Sequence, residues 1–81
     1  MISTSVIQLV DYIKLDKFVI KNKTNNNFML LVKSIIDYAH STKKKVILEG
    51  VETADDLALA KKLKCDFVQG FYYRDSFKNV N

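Results

Sequence analysis

Val46-Ile47-Leu48-Glu49-Gly50 decides the fold class: three consecutive apolar residues run into a carboxylate and then into one of only two glycines in the chain. A short run of continuous apolar residues suits a strand covered on both faces, the situation in a parallel sheet. The pattern recurs on either side. Upstream, Asp11–Asp16 (DYIKLD) reads as a short strand in which Lys14 interrupts the apolar character after Tyr12-Ile13. Downstream, Asp66-Phe67-Val68-Gln69 reads as a third strand, with Gln69 just before Gly70, the other glycine.

The segments between these strands carry a helical period. Lys21–Asn27 is polar and reads as a loop, after which Phe28, Leu31, Val32, Ile35, Ile36 and Ala39 recur at three- and four-residue steps. Thr24 or one of the asparagines at 25–27 can cap that helix, and Lys43–Lys45 closes it with charge that complements the helix dipole. Thr53 is the expected N-cap of a second helix. Asp55 and Asp56 lie at its positive end, and Leu57, Ala60 and Leu63 form its buried stripe. The tail, Phe71–Asn81, is aromatic and then polar, with no clear period. The order strand, helix, strand, helix, strand predicts an α/β fold with parallel strands joined by right-handed crossover helices.

Each predicted strand carries a polar residue near its C-terminal end: Lys14, Glu49 and Gln69. A glycine after Glu49 and after Gln69 lets the backbone turn sharply or approach another group closely. In (β/α)8 barrels the C-terminal ends of the strands form the active-site mouth, so three such residues are expected to converge there. Burying an unpaired lysine or glutamate is costly, which favours a shared site. On the pattern alone, three unrelated surface residues where strands emerge into water remain the alternative.

Composition narrows the rest. At 81 residues the chain is at most one small domain with a marginal core, and 48% apolar content is too high for a disordered tail. The longest apolar runs, such as Met29–Val32, fall far short of the ~18 residues that span a bilayer, and no signal peptide is read at the N-terminus. Cys65 stands alone, so no internal disulfide forms, and a reducing cytoplasm suits it. The net charge of +4 raises the question of nucleic acid. The lysines are scattered, however, and the one run, Lys43–Lys45, reads as a solvated helix end. The aromatics fall at core positions rather than in a stacking motif, which argues against a nucleic-acid polymer as partner.

At these positions the chain resembles a known family. DYIKLD (Asp11–Asp16), EGVET (Glu49–Thr53) and QGF (Gln69-Gly70-Phe71) are similar to the last three strand-end motifs of EAL domains. The connecting segments IIDYAHS (Ile35–Ser41), KVI (Lys45-Val46-Ile47) and CDFV (Cys65–Val68) fit as well. The likeness runs from about Ser5 to Phe77, and EGVET followed by CDFVQG at this spacing is its most specific part. It implies that residues 1–81 are the C-terminal part of an EAL domain, a β-α-β-α-β fragment of a TIM (β/α)8 barrel. It also implies the family's activity, opening cyclic di-GMP to the linear dinucleotide with two Mg²⁺ or Mn²⁺ ions. Under the resemblance Lys14 and Glu49 are catalytic positions, and Glu49 is a metal ligand. Gln69 positions substrate, Glu52 supports the loop or the substrate, and Asp16 anchors local backbone.

The family's Glu-Ala-Leu signature, its asparagine and further glutamate ligands and its paired aspartates are not in this sequence. The resemblance therefore implies that the chain alone is inactive, with a degenerate, non-catalytic EAL-derived binding or oligomerisation module as the alternative. Several positions depart from the family. Lys17 runs straight into Phe18 where a serine is usual between them, and Leu48 stands where alanine is common. Lys43 and Lys64 stand at helix ends that usually carry glycine, and the proline expected near Ser76 is absent. Excised from a barrel of ~250 residues, the sheet is expected to have two open edges and to associate as a homo-oligomer.

Overall fold

The apolar run Val46-Ile47-Leu48 is fully buried and forms the heart of the central strand, as continuous apolar character requires. The computed structural model describes Tyr12–Gly70 and Lys78–Asn79. Asp11, Phe71 with most of the aromatic tail, and the position near Ser76 lie outside the described residues. Strand β1 (Tyr12–Leu15) pairs in parallel with β2 (Lys45–Val51), which pairs in parallel with β3 (Phe67–Gly70). A two-residue strand, β4 (Lys78–Asn79), adds antiparallel to β3, so the sheet order is β1-β2-β3-β4. The predicted parallel α/β arrangement is observed.

Helix α1 (Phe18–Lys21), a single turn, follows β1 and falls where the sequence showed no period. Four residues are too few for a helical repeat to register. A local bond starts the turn: the Phe18 amide donates to Asp16 Oδ1 at 2.9 Å, and Val19 anchors it in the core. The crossover from β1 to β2 is completed by α2 (Asn26–Ser41). Among the candidate caps, Asn25 does the work, its Oδ1 accepting from the Phe28 amide at 3.0 Å. The crossover from β2 to β3 is α3 (Ala54–Leu63), capped by Thr53 as expected.

Both long helices end on a lysine in the left-handed region, Lys43 at φ 62° and Lys64 at φ 65°. The Lys44 amide returns to the Ala39 carbonyl at 2.9 Å and the Cys65 amide to the Ala60 carbonyl at 3.0 Å, closing the last turns in the manner usually reserved for glycine. The backbone thus keeps the glycine geometry although the side chain has changed.

One face of the sheet carries the core. Val46, Leu48, Val51 and Val68 meet Val32, Ile36 and Ala39 of α2, Ala60 and Leu63 of α3, and Val19 and Cys65. The expected apolar stripe of α2 is corrected here: Leu31 and Ile35 are exposed, and Phe28 is only partly buried. Six apolar residues subtend more of the cylinder than one contact with the sheet can cover, and the narrower line Val32-Ile36-Ala39 wins. Among the described residues no helix is long and apolar enough to cross a membrane.

Candidate functional site

Alternation along a strand sends Lys14 of β1, Ile47 and Glu49 of β2, and Phe67 and Gln69 of β3 to the face opposite the helices. Tyr12 belongs to the same face, since its ring lies 6.1 Å from that of Phe67 in a tilted pair. The face is layered. Tyr12, Ile47 and Phe67 make an apolar floor, and Lys14, Glu49 and Gln69 stand toward the C-terminal strand ends. Barrel interiors are filled in such layers, with polar groups at the top.

The register brings these polar groups together. Glu49 lies directly opposite Gln69, whereas Lys14 lies opposite Ile47, one pleat lower. The four-carbon lysine stem makes up that step, and Lys14 Nζ reaches Glu49 Oε2 at 3.4 Å. Their side chains are 50% and 34% exposed, so water screens the pair and a ligand can compete for either partner.

The two glycines hold the strand ends close. Gly50 has φ +83°, and a Cβ on it would sit 2.5 Å from Lys17 Cβ. The turn after β1 therefore rests on the backbone of Gly50. A Cβ on Gly70 would overlap the carbonyl oxygen of Val51 and lie 2.6 Å from its nitrogen. These close approaches are between neighbouring strand ends. The register of β2 and β3 shifts between Glu49 and Val51, and β2 continues past Gly50 instead of stopping there as the sequence suggested.

The remaining candidates divide. Asp16 uses its carboxylate locally, on the Phe18 amide. Glu52 lies exposed on the turn immediately after β2, and among the described residues its carboxylate makes no ion pair. Beneath that turn sits Asp56, only 4% exposed, which the sequence marked as a helix-start charge but not as a link to the strand-end turns. Its Oδ2 accepts from the amides of Glu52 (3.1 Å) and Thr53 (3.3 Å), and its own amide donates to Thr53 Oγ1 at 3.1 Å. Its Oδ1 accepts from Lys23 Nζ at 2.8 Å. Burial pushes this carboxyl upward, but the Lys23 ammonium and the Glu52 amide outweigh burial and hold it below the usual carboxylate range. The same hydrogen bond raises the Lys23 ammonium. The Thr53-x-x-Asp56 spacing was a readable capping-box signal. Lys23 lay in a polar stretch with no such mark.

At the opposite end of the sheet, Asp66 Oδ2 accepts from the Val46 amide and contacts His40 Nε2, both at 2.8 Å. This ties α2 to the start of β2, well away from the strand-end layer.

Glu49 offers the hard carboxylate oxygen that Mg²⁺ or Mn²⁺ takes. Among the described residues no three His, Cys, Asp or Glu side chains gather into a metal cage. Glu49 thus fits such an ion as one ligand of a larger set.

The sequence profile of the EAL domain family matches residues 8–76. The biofilm architecture maintenance protein MbaA of Vibrio cholerae is 34% identical over 74 residues, covering 86% of this chain and 9% of that protein. The cyclic di-GMP phosphodiesterase TpdA of Vibrio parahaemolyticus is 36% identical over 64 residues, covering 78% of this chain and 11% of its own length. The structure of the EAL enzyme Bd1971 in its cAMP- and cyclic-di-GMP-bound form superposes with a TM-score of 0.69 at 30% identity, covering 86% of this chain and 19% of that one. The chain therefore spans about a tenth of the length of these curated relatives.

Proposed function

The chain belongs to the EAL domain family, and from that premise we propose that it is the C-terminal portion of a cyclic di-GMP phosphodiesterase barrel and supplies one part of its active site. The observation that carries this reading is the meeting of Lys14 and Glu49 at 3.4 Å, with Glu49 in register with Gln69, at the ends of three parallel strands. Glu49 would contribute one oxygen to a pair of Mg²⁺ or Mn²⁺ ions, which in such sites activate water and clamp phosphoryl oxygens. The Lys14 ammonium offsets phosphate charge or orients the attacking water. Gln69 is a neutral hydrogen-bonding group suited to holding the substrate, Glu52 supports the loop above, and Asp16 anchors the turn after β1. A reducing cytoplasm suits the single buried Cys65.

Among the described residues no three His, Cys, Asp or Glu side chains gather to hold the ions a two-metal site needs, and on this reading the chain alone is inactive. Purified chain incubated with cyclic di-GMP and Mn²⁺ is expected to form no linear dinucleotide, and metal-dependent product would overturn that. Within a complete barrel, Glu49→Gln and Lys14→Met are each expected to lower product formation by at least about 10²-fold. Full activity in Glu49→Gln would remove this residue from the site.

A second reading, a non-catalytic association module, is favoured by one feature. Among the described residues β1 pairs only with β2, and the neighbouring helix α2 exposes Leu30, Leu31, Ile35 and Tyr38. An edge strand beside exposed apolar surface favours association. Light scattering at low micromolar concentration is expected to report a dimer or larger species, and a clean monomer argues against this module.

A further inference from the structure

We propose that Lys23 and Asp56 are positioning residues: their ion pair locks the turn after β1 to the turn after β2, and this lock sets the distance between Lys14 and Glu49. The inference rests on the reading of Lys14, Glu49 and Gln69 as one site. Lys14 and Glu49 sit on different strands, and each leads directly into a connection, 16–25 after β1 and 52–53 after β2. The first connection touches the end of β2 and the first turn of α3, the two elements that flank the second. Lys17 packs on the bare backbone of Gly50, and Lys23 reaches across to Asp56 at 2.8 Å.

The chemistry of Asp56 makes this more than a helix cap. An N3 carboxylate in a capping box needs only the N-cap amide. Asp56 also takes the amide of Glu52, two residues beyond Gly50, and so grips the turn where it leaves the strand. Oδ2 serves this turn, while Oδ1 serves the lysine from the preceding connection. One buried carboxylate thus has each oxygen committed to a different connection. No other ion pair among the described residues joins these two turns. Without Lys23, Oδ1 would keep a negative charge almost out of reach of water, which strains the two turns that Asp56 joins.

Heteronuclear NMR on the full 81-residue chain tests the lock, reading the Lys14 ammonium resonance and the exchange of individual amides. Lys23→Met keeps the stem and removes the charge. Asp56→Asn removes the charge and has a single acceptor oxygen, which can serve the Glu52 and Thr53 amides or Lys23 but not both. Both variants are expected to speed exchange at Glu52 and Thr53 by about tenfold or more, because local opening becomes easier. Both are expected to shift or broaden the Lys14 ammonium signal, with exchange at Val46, Leu48 and Val68 unchanged. Lys23→Arg, which restores the charge, is expected to return the Lys14 signal to its native position. Two results overturn the proposal: a Lys14 signal that Lys23→Met leaves untouched, or core and turn amides that accelerate together. No nucleotide or metal enters the experiment, so its failure is separable from a failure of the catalytic reading, which the product assay decides.

Discussion

Lys64 holds φ at 65° because α3 must end abruptly for the chain to enter β3, and the Cys65 amide already has its carbonyl partner there. The left-handed region costs a residue with a Cβ about 1 kcal/mol or more. Lys64→Gly is therefore expected to stabilise the fold by up to about 1 kcal/mol in urea titration, less what glycine adds to the entropy of the unfolded chain. Gly50 is the converse case. Its φ of +83° and the nearness of Lys17 both oppose a side chain, and Lys17 Cα stands only 3.1 Å from the would-be Cβ. Gly50→Ala is expected to cost about 1–3 kcal/mol in the same titration, and an unchanged midpoint would show that the turn after β1 moves freely. Cys65, 1% exposed, has its thiol pushed up to about 12, chiefly by burial and then by the Asp66 charge. Thiol reagents at pH 8 are expected to label it only as the chain unfolds.

At the scale of elements, α2 divides its apolar residues between two uses. Ile36 is fully buried against the sheet, whereas Ile35, one residue away, is 40% exposed. Ile36→Ala is expected to destabilise by about 2–5 kcal/mol, because it leaves a cavity under the helix. Ile35→Ala in a monomer is expected to change stability by less than about 0.5 kcal/mol. Denaturant titrations at two protein concentrations distinguish a free surface from a covered one. A large, concentration-dependent effect at Ile35 would mean that another copy lies over Leu31 and Ile35. The turn α1 belongs to this scale too. It depends on the Asp16 carboxylate and on burial of Val19, so it has a local start and a tertiary finish.

Among the described residues, three groups shape the pH dependence of stability beside the exposed Asp37, whose carboxyl the hydrogen bond from Lys33 holds low. Asp56 is depressed below its ordinary value of 3.8 in the fold, so its contribution is present above that value and is lost as pH falls through the lower folded value. Lys23 is raised above 10.5, so its contribution is present below 10.5 and is lost as pH rises past it. Cys65, raised from 9.0 to about 12, costs stability across that interval because the unfolded thiol ionises first. Thermal melts are expected to be flat from about pH 5 to pH 8 and to fall on both sides. Lys23→Met is expected to flatten part of the acid limb, since it relaxes Asp56 toward its ordinary value. An acid limb identical in the variant would show that Asp56 does not depend on Lys23.

Much of this protein follows from sequence alone. Val46–Leu48 specify a doubly covered strand, the three- and four-residue steps specify α2, and Thr53 specifies the start of α3. Lys14, Glu49 and Gln69 could be recognised as strand-end polar residues. These signals are local, carried by propensity, period and backbone sterics within a few residues. Other features were decided only by tertiary structure. They include which apolar side of α2 is buried, the continuation of β2 past Gly50, the addition of β4 to the edge of β3, and the pairing of Lys23 with Asp56. Each depends on strand register and on groups far apart in the chain, 33 residues apart for Lys23 and Asp56, and no local pattern encodes such a meeting.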